Sequence, residues 1–409
     1  MPIDDPFGDL IAPFSRRGVD LGLERLRGAL QELGHPQQRF AAVQVAGTNG
    51  KGSISTMLER IAHAAGIRCG LYTSPHLLSW CERIHLPDGL IAEAELRRLL
   101  QELQPLALRH DLTPFELITA AAFVAFAEAN VELAVLEVGL GGRLDATTVH
   151  PDRQVLAFAS IGLDHTEALG PTLAAIAGEK AGVLHPGALA VSGPQTPEAR
   201  AVLELQAQRS GCALRWVEPL AEPAAGGPEL GLTGALQRLN GAVAVAAAEA
   251  LAQLGWPISN TAIRQGLRQA RWPGRLARHR FAGQPLLLDG AHNPPAAAAL
   301  RRELDQLPGE QNQGAPPRRW LIGIQRHKDA PQLLQLLMRP GDRARVMPLP
   351  EHSSWSAAEL QTATELALEP AAADLQQNLA WLVASPALPV ACGSLLLVAE
   401  LLPLLDATD

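Results

Sequence analysis

The chain has only four cysteines in 409 residues, Cys69, Cys81, Cys212 and Cys392. They form neither a CxxC pair nor an even framework in a short chain, so reduced, mostly buried thiols are expected rather than disulfides or zinc ligands. Basic runs and interleaved aromatic and basic residues are missing too. With 34 basic against 42 acidic residues and a net charge of -8, the balance argues against a nucleic-acid surface and suits a small-molecule substrate. Long hydrophobic runs are absent: the most apolar stretches, Ala242 to Leu254 and Leu395 to Leu405, are broken by Glu249 and Glu400 and fall short of the roughly 20 residues that cross a bilayer. The opening MPIDDPFGDL lacks the charged start and apolar run of a signal peptide, so a cytoplasmic protein without membrane association is expected. No repeat of fixed period occurs, and low complexity is confined to short Ala, Pro and Gly stretches. What remains is 47% hydrophobic residues and enough length for two domains.

Short apolar runs alternate with helical stretches. AAVQVA (41–46) ends in glycines and is followed by SISTMLERIAHAAG, with Ile54, Leu58, Ile61 and Ala65 at helical spacing. Further strand-type runs are RCGLYT, VELAVLEVG and VLAFASIG, separated by AELRRLLQELQPLAL and PFELITAAAFVAFAEA. The alternation predicts an α/β fold with a mainly parallel sheet covered on both faces. Between residues 215 and 234, EPLAEPAAGGPELGLTG predicts surface connections or an edge hairpin. The preferred boundary lies near RWPGR (271–275), dividing the chain into residues 1–273 and a smaller α/β domain, 274–409, where the alternation restarts with PLLLDG, RRWLIGI, RARVMPL and LPVACG. GEQNQGAPPRR (309–319) reads as a mobile loop in that second domain.

GTNGKGS (47–53) departs from the standard phosphate loop: Val45 occupies the place of its first glycine, and Gly52 separates Lys51 from Ser53. A strand feeding a glycine turn and a helix N-terminus still aims backbone N–H groups at an anion, and Lys51 can reach a terminal phosphate. The alternative is a tight turn that merely needs glycine. No NKxD-type base-reading motif occurs, which favours ATP over GTP. In LAVLEVGLGGRLDATT (133–148), Glu137 ends an apolar strand, where an acid can hold Mg²⁺, cap a helix or form an ion pair. GLGGRL lacks the third glycine of a dinucleotide fingerprint. SIGLDHTEALG (160–170) ends another strand-like run in Asp164 and His165, and GEKAGVL (178–184) carries Lys180, which reads alone as a solvated charge. These strand ends fall on one edge of a parallel sheet, where such folds bind ligands. LLLDGAHNPPAA (286–297) places Asp289, His292 and Asn293 on a turn before a helix, either a capped turn or, with Arg275 just upstream, a phosphate site.

In order and wording, GTNGKGS, TSPHL (73–77), LTPFE (112–116), EVGLGGRLDATT, IGLDHTEALG, GEKAGV, WPGR, DGAHNP and ACGSLLLVAEL resemble the folylpolyglutamate synthase and dihydrofolate synthase family of the Mur ligase superfamily. The resemblance spans nearly the whole chain. It implies an N-terminal phosphate-loop ATPase domain of Mur ligase type and a smaller Rossmann-like C-terminal domain for glutamate ligation. The implied enzyme forms an acyl phosphate from a pterin acid and ATP, then an amide with L-glutamate, converting dihydropteroate to dihydrofolate and folates to polyglutamates. It further implies that Thr48, Asn49, Gly50, Lys51, Gly52 and Ser53, with Asn240, Arg275 and Asp289, contact ATP. Ser74, Glu137 and His165 would hold Mg²⁺, and a carbamylated Lys180 would help bind a second ion. His292 would approach the phosphates and the incoming glutamate, with Lys51 and Lys180 as the other catalytic groups. Thr113, Pro114, Phe115 and Glu116, with Leu144, Asp145 and Ala146, would contact the pterin substrate of a monomeric enzyme. Two departures stand out: Leu236 replaces a family histidine in QRLNGAV, leaving Gln237 and Asn240, and QRHKDA keeps only Lys328 and Asp329 of an Asp-Lys-Asp wording. Other implied outcomes are a single-activity folylpolyglutamate synthase or another Mur-type ligase. A UDP-sugar ligase would need a further N-terminal domain, and about 40 residues before the phosphate loop leave no room for one. A binding protein that had lost transfer chemistry would have lost Lys51, Ser74, Glu137, His165 or Lys180, all of which are present.

Overall fold

In a computed structural model that describes residues 6–12, 20–307, 316–350 and 352–406, the chain divides into two compact units with the break between Arg271 and Trp272. The first unit is built on eight strands: β1 Ala41–Ala46, β2 Cys69–Tyr72, β3 Ile84–Leu86, β4 Gly89–Leu90, β5 Leu133–Glu137, β6 Arg153–Phe158, β7 Leu189–Ser192 and β8 Ala213–Trp216. Their order across the sheet is β4-β3-β2-β5-β1-β6-β7-β8, with β3 and β4 antiparallel at one edge and all other pairings parallel. Parallel strands need crossovers, and helices supply them. Every residue of β1 and β5 is buried, which explains why both read as continuous apolar runs rather than alternating ones. One face is covered by two neighbouring cores, one that includes Leu99, Leu103, Phe123 and Phe126 and one that includes Phe158, Ile176, Leu184 and Leu203, which meet β1 at Ala42 and Ala46 respectively; Val43, Val45 and Val135 are buried on the opposite face.

One polar residue sits inside β1. Gln44 is fully buried and is satisfied completely: its amide donates to Thr147 Oγ1 and Thr148 Oγ1, both at 2.8 Å, and its carbonyl accepts from Arg153 Nη1 at 2.8 Å. Arg153 also donates to the carbonyls of His150 (2.9 Å) and Val183 (3.0 Å), and burial lowers its pKa to about 10. This network ties the central strand, the turn Ala146–Val149 and the chain just after the helix Leu173–Ala181 into one block. That helix carries Lys180.

The second unit is a six-stranded sheet, β9 Ala277–Phe281, β10 Gln284–Leu288, β11 Arg319–Ile322, β12 Arg343–Val346, β13 Leu368–Pro370 and β14 Val390–Cys392, ordered β13-β12-β11-β14-β10-β9. Only β9 runs antiparallel, paired with β10 as a hairpin through Ala282 and Gly283. Trp320, Leu333, Leu334 and Leu337 lie in its core. The stretch 218–234 forms no strand; its regular structure is the single turn Pro223–Ala225. Within the loop expected at 309–319, residues 309–315 lie outside the described residues. Asp329 caps the helix Ala330–Leu337 by accepting from Gln332 N, so the altered QRHKDA wording belongs to a helix start. All four cysteines are free and buried, and among the described residues no helix is long and apolar enough to cross a membrane.

The helix Asn260–Gln269 lies directly on the helix Lys51–Ala64 that follows the glycine loop. Gly266 permits this approach: a Cβ there would stand 2.5 Å from Ile61 Cα and 2.7 Å from the Arg60 carbonyl carbon, both backbone atoms that cannot rotate away. Gly266→Ala is therefore expected to destabilise the first unit by about 1–3 kcal/mol, read as an earlier midpoint in denaturant unfolding. An unchanged midpoint would show that the two helices separate freely.

Candidate functional site

The loop after β1 is held as a rigid cradle. Thr48 N donates to Ser160 O at 2.7 Å, Ser160 Oγ returns a bond to Asn49 O at 3.0 Å, and Thr48 Oγ1 lies 3.1 Å from both Gly162 O and Gly162 N. The GTNGKGS loop and the loop after β6 therefore move as one piece. Gly50 takes φ 101° as the residue preceding the helix Lys51–Ala64, a left-handed value that favours glycine. A side chain at Gly50 would also collide with Asn240 Oδ1, so the Asn240 side chain, on the helix Ala235–Gln253, packs directly on the loop backbone here. Asn240 is fixed in turn by donating to Gln237 Oε1 at 3.0 Å, which gives Gln237 a role even though Leu236 replaces the histidine. Ser53 Oγ is buried on the first turn of the helix and has no hydrogen-bond partner among the described residues. A hydroxyl oriented this way is suited to a phosphate or a phosphate-bound cation.

Lys180 lies at the centre of this arrangement. It is 4% exposed, and its Nζ donates to Gly47 O at 2.9 Å, bridging the helix Leu173–Ala181 and the glycine loop. Burial first, and the Lys51 cation second, push its pKa down to about 7, against the opposing pull of Asp164 and Asp145. A solvated lysine would not behave so. Lys51 Nζ itself donates to Thr48 O at 3.3 Å, folded back over its own loop.

Glu137 ends β5 in register with Val45 of β1, so the neighbouring strand ends bring its carboxylate to the glycine loop's edge of the sheet. It is 4% exposed, and Ser74 N donates to its Oε2 at 3.3 Å. His165 begins the short helix Thr166–Leu169 with φ 50°; its half-exposed ring stands 3.9 Å from the carboxylate of the buried Asp164 side chain. Carboxylate and hydroxyl oxygens with an imidazole suit a hard divalent ion that takes its other ligands from phosphate and water. Among the described residues, no three His, Cys, Asp or Glu gather as a protein-only metal cage.

The seven residues expected to meet a pterin divide by their bonding. Thr113 and Glu116 form a reciprocal capping box at the start of the helix Pro114–Glu128, and Glu116 pairs with Arg25 at 3.0 Å. Asp145 accepts from Gly139 N, Leu140 N and Thr147 N, each at 3.0 Å, and burial raises its pKa. These three side chains shape the loops. Pro114 and Ala146 are buried, whereas Phe115 and Leu144 are partly exposed; the Phe115 ring lies against Gly139 and 6.0 Å from the Tyr72 ring.

In the second unit, Asp289 follows β10 and accepts from Leu276 N (2.7 Å) and Ala291 N (2.8 Å). Burial raises its pKa, with the Arg275 cation opposing. One carboxylate thus fixes both the turn that carries Arg275 and the turn that carries His292, whose Nδ1 lies 2.8 Å from Gly290 O. Asn293 caps the helix Pro294–Asp305 by accepting from Ala296 N. Capped turn and charged cluster are therefore the same structure.

Two residues that sequence reasoning left without a role lie beside Ser74. Arg83 is 4% exposed, stacks over Trp80 at 4.5 Å, and donates from Nε to His76 Nδ1 at 2.9 Å. Burial and the nearby Arg83 push His76 down to about 3. The signal was the histidine inside TSPHL, but its partner is seven residues on and only the fold pairs them.

The Lys180 shift fixes a pH dependence. Its folded pKa of about 7 is below the unfolded 10.5, so the unfolded chain holds the extra proton between these values and stability rises with pH across that window. In buffer freed of carbon dioxide, Lys180→Met is expected to stabilise the protein more at pH 6.5 than at pH 9.5, as read by urea unfolding. Equal effects at both would show that the amine is buried as a cation at both.

Residues 276–404 match the family model described as "Dihydrofolate synthetase, C-terminal domain". The folylpolyglutamate synthase of Lacticaseibacillus casei is 35% identical over 311 residues, 69% of this chain and 72% of that protein. A solved Mycobacterium tuberculosis folylpolyglutamate synthase complexed with ADP and AMPPCP superposes with a TM-score of 0.84 at 29% identity, covering 95% of this chain and 96% of that one. The bifunctional folylpolyglutamate synthase/dihydrofolate synthase of Yersinia pestis, complexed with AMPPNP and a Mn ion, gives 0.79 at 31% identity, covering 95% and 94%. The chain with a buried lysine on its phosphate loop is a member of the folylpolyglutamate synthase/dihydrofolate synthase family of ligases.

Proposed function

We propose that the protein joins L-glutamate to pterin acids at the expense of ATP, converting dihydropteroate to dihydrofolate and extending folates to folylpolyglutamates. The observation that carries this reading is the hydrogen bond from buried Lys180 to the glycine loop. A nucleotide-binding loop alone needs no lysine beneath it.

The first step joins two anions, because the acceptor carboxylate must attack the γ-phosphate of ATP. Backbone N–H groups of the loop from Thr48 to Ser53, the Ser53 hydroxyl and the Lys51 ammonium are suited to holding the phosphates and the charge that moves onto them. Asn240, buried against Gly50, would accompany the nucleotide. Ser74, Glu137 and His165 would hold Mg²⁺, which supplies charge neutralisation at the phosphate oxygens. Phe115 offers an aromatic face for the pterin acid, while Thr113, Glu116 and Asp145 set the loops around it. Leu144 adds apolar contact. In the C-terminal unit, Arg275 and His292 would engage the phosphates and the incoming amino acid, and Asp289 would keep both turns in place. The amino group of glutamate then attacks the acyl phosphate, forming the amide and releasing phosphate.

Lys180 is suited to carbamylation. At neutral pH about half of its amines are uncharged, given a pKa of about 7. Such an amine adds to CO₂, forming an N–C bond and losing a proton, which replaces a cation beside Lys51 by an anion. Electrostatic repulsion becomes attraction, and the carbamate can assist a second Mg²⁺. We take the enzyme to act as a cytoplasmic monomer on small molecules.

The test is release of ADP with either dihydropteroate or tetrahydrofolate plus L-glutamate; turnover with both is expected, and silence with both would overturn the reading. Turnover with the folate alone would reduce it to a single-activity enzyme. Lys180→Ala is expected to retain the fold and lose activity by at least about 100-fold, without rescue by bicarbonate, whereas wild type stripped of CO₂ should recover on its addition. Normal activity of Lys180→Ala would remove the carbamate from the mechanism.

A further inference from the structure

The loop between β2 and the turn Trp80–Arg83 is held more tightly than a connection requires. The Glu82 carboxylate accepts from three backbone N–H groups, Leu77 (2.8 Å), Leu78 (2.7 Å) and Ser79 (2.8 Å). Thr73 N donates to Arg83 O at 3.0 Å, and Thr73 Oγ1 to Glu82 O at 3.3 Å, closing the base of the loop. Inside it, the His76 ring packs on Trp80 with centroids 4.7 Å apart, and the Arg83 guanidinium packs on the same indole. Backbone, ring and cation therefore fix the position of one imidazole.

The hydrogen bond from Arg83 also fixes that imidazole's proton. A guanidinium only donates, so Nδ1 of His76 must offer its lone pair, and the ring proton resides on Nε2. His76 is partly exposed, and its Nε2 has no partner among the described residues. An oriented N–H donor on a neutral ring thus stands two residues past Ser74, whose own N–H donates to Glu137. Tyr72 and Phe115 form an aromatic pair at the end of the strand that feeds this loop.

We infer that the Nε2–H of His76 donates to the carboxylate of the aromatic acid acceptor and holds it for attack on ATP. This rests on the ligase reading above. In the step itself, one carboxylate oxygen forms a bond to the γ-phosphorus, the bond from that phosphorus to the β–γ bridging oxygen breaks, and ADP leaves with the electron pair. No proton moves at His76. The second carboxylate oxygen keeps its hydrogen bond, becomes the carbonyl oxygen of the acyl phosphate, and takes negative charge when the glutamate nitrogen adds. A neutral donor suits both stages, since an imidazolium would weaken the attacking carboxylate while a neutral N–H still stabilises the later oxyanion.

Two substitutions separate substrate contact from support of Arg83. His76→Asn puts an acceptor oxygen where Nδ1 was and removes the outward donor; His76→Gln puts an N–H₂ near Nε2 and gives up the bond to Arg83. Single-turnover ADP formation with dihydropteroate, without glutamate, is compared with ADP affinity by calorimetry as the control for fold. His76→Asn is expected to slow ADP formation by roughly 100-fold with ADP affinity within about twofold of wild type, and His76→Gln to stay within about tenfold. A fast His76→Asn, or a His76→Gln slower than His76→Asn, overturns the inference and leaves the ligase reading intact. Wild type silent with both dihydropteroate and tetrahydrofolate overturns both.

Discussion

The hydrogen bond from Lys180 to Gly47 is the constraint around which the first unit is organised. A buried amine is costly unless its environment compensates it, and here one carbonyl of the phosphate loop and two neighbouring acids do so against a second lysine. That balance requires the loop, the helix end and the ends of β5, β1 and β6 to be mutually fixed. The Gln44 and Arg153 network supplies the fixation from below, joining the central strand to the chain immediately after Lys180. The reciprocal bonds between Thr48 and Gly162 and between Asn49 and Ser160 supply it from the side.

Carboxylates do two kinds of work in this protein. Glu82, Asp145 and Asp289 each gather two or more backbone N–H groups and fix loops, and Glu116 closes a helix cap on Thr113 N. Glu137 instead accepts from Ser74 N and stands at the sheet edge beside the glycine loop. Aromatic residues are scarce in composition, and three of them border this region: Tyr72 ends β2, Trp80 opens the turn that follows, and Phe115, on the helix Pro114–Glu128, lies 6.0 Å from the Tyr72 ring.

Much of this was legible in the sequence, for identifiable reasons. AAVQVA, VELAVLEVG and VLAFASIG are buried on both faces and bounded by glycine, so their apolar runs announce parallel strands. The motif wording identified the strand-end residues and the family. Side-chain duties were less visible: the motif wording leads to Thr113, Glu116 and Asp145 as substrate contacts, and their bonds to backbone, to Thr147 and to Arg25 emerge only in the fold, because a capping carboxylate and a binding one look alike in a string. The strands β7 and β8 are four residues each, with too little period to single out. The pairing of His76 with Arg83 depends on a loop closed by tertiary contacts, and sequence spacing has no rule for it.

The central claim is that the acceptor carboxylate attacks ATP to give an acyl phosphate. Labelling the carboxylate oxygens of dihydropteroate with ¹⁸O and analysing the inorganic phosphate after turnover with ATP and L-glutamate tests it most directly. The account predicts one ¹⁸O atom in each phosphate released. Phosphate free of label, formed alongside the amide product, would contradict it.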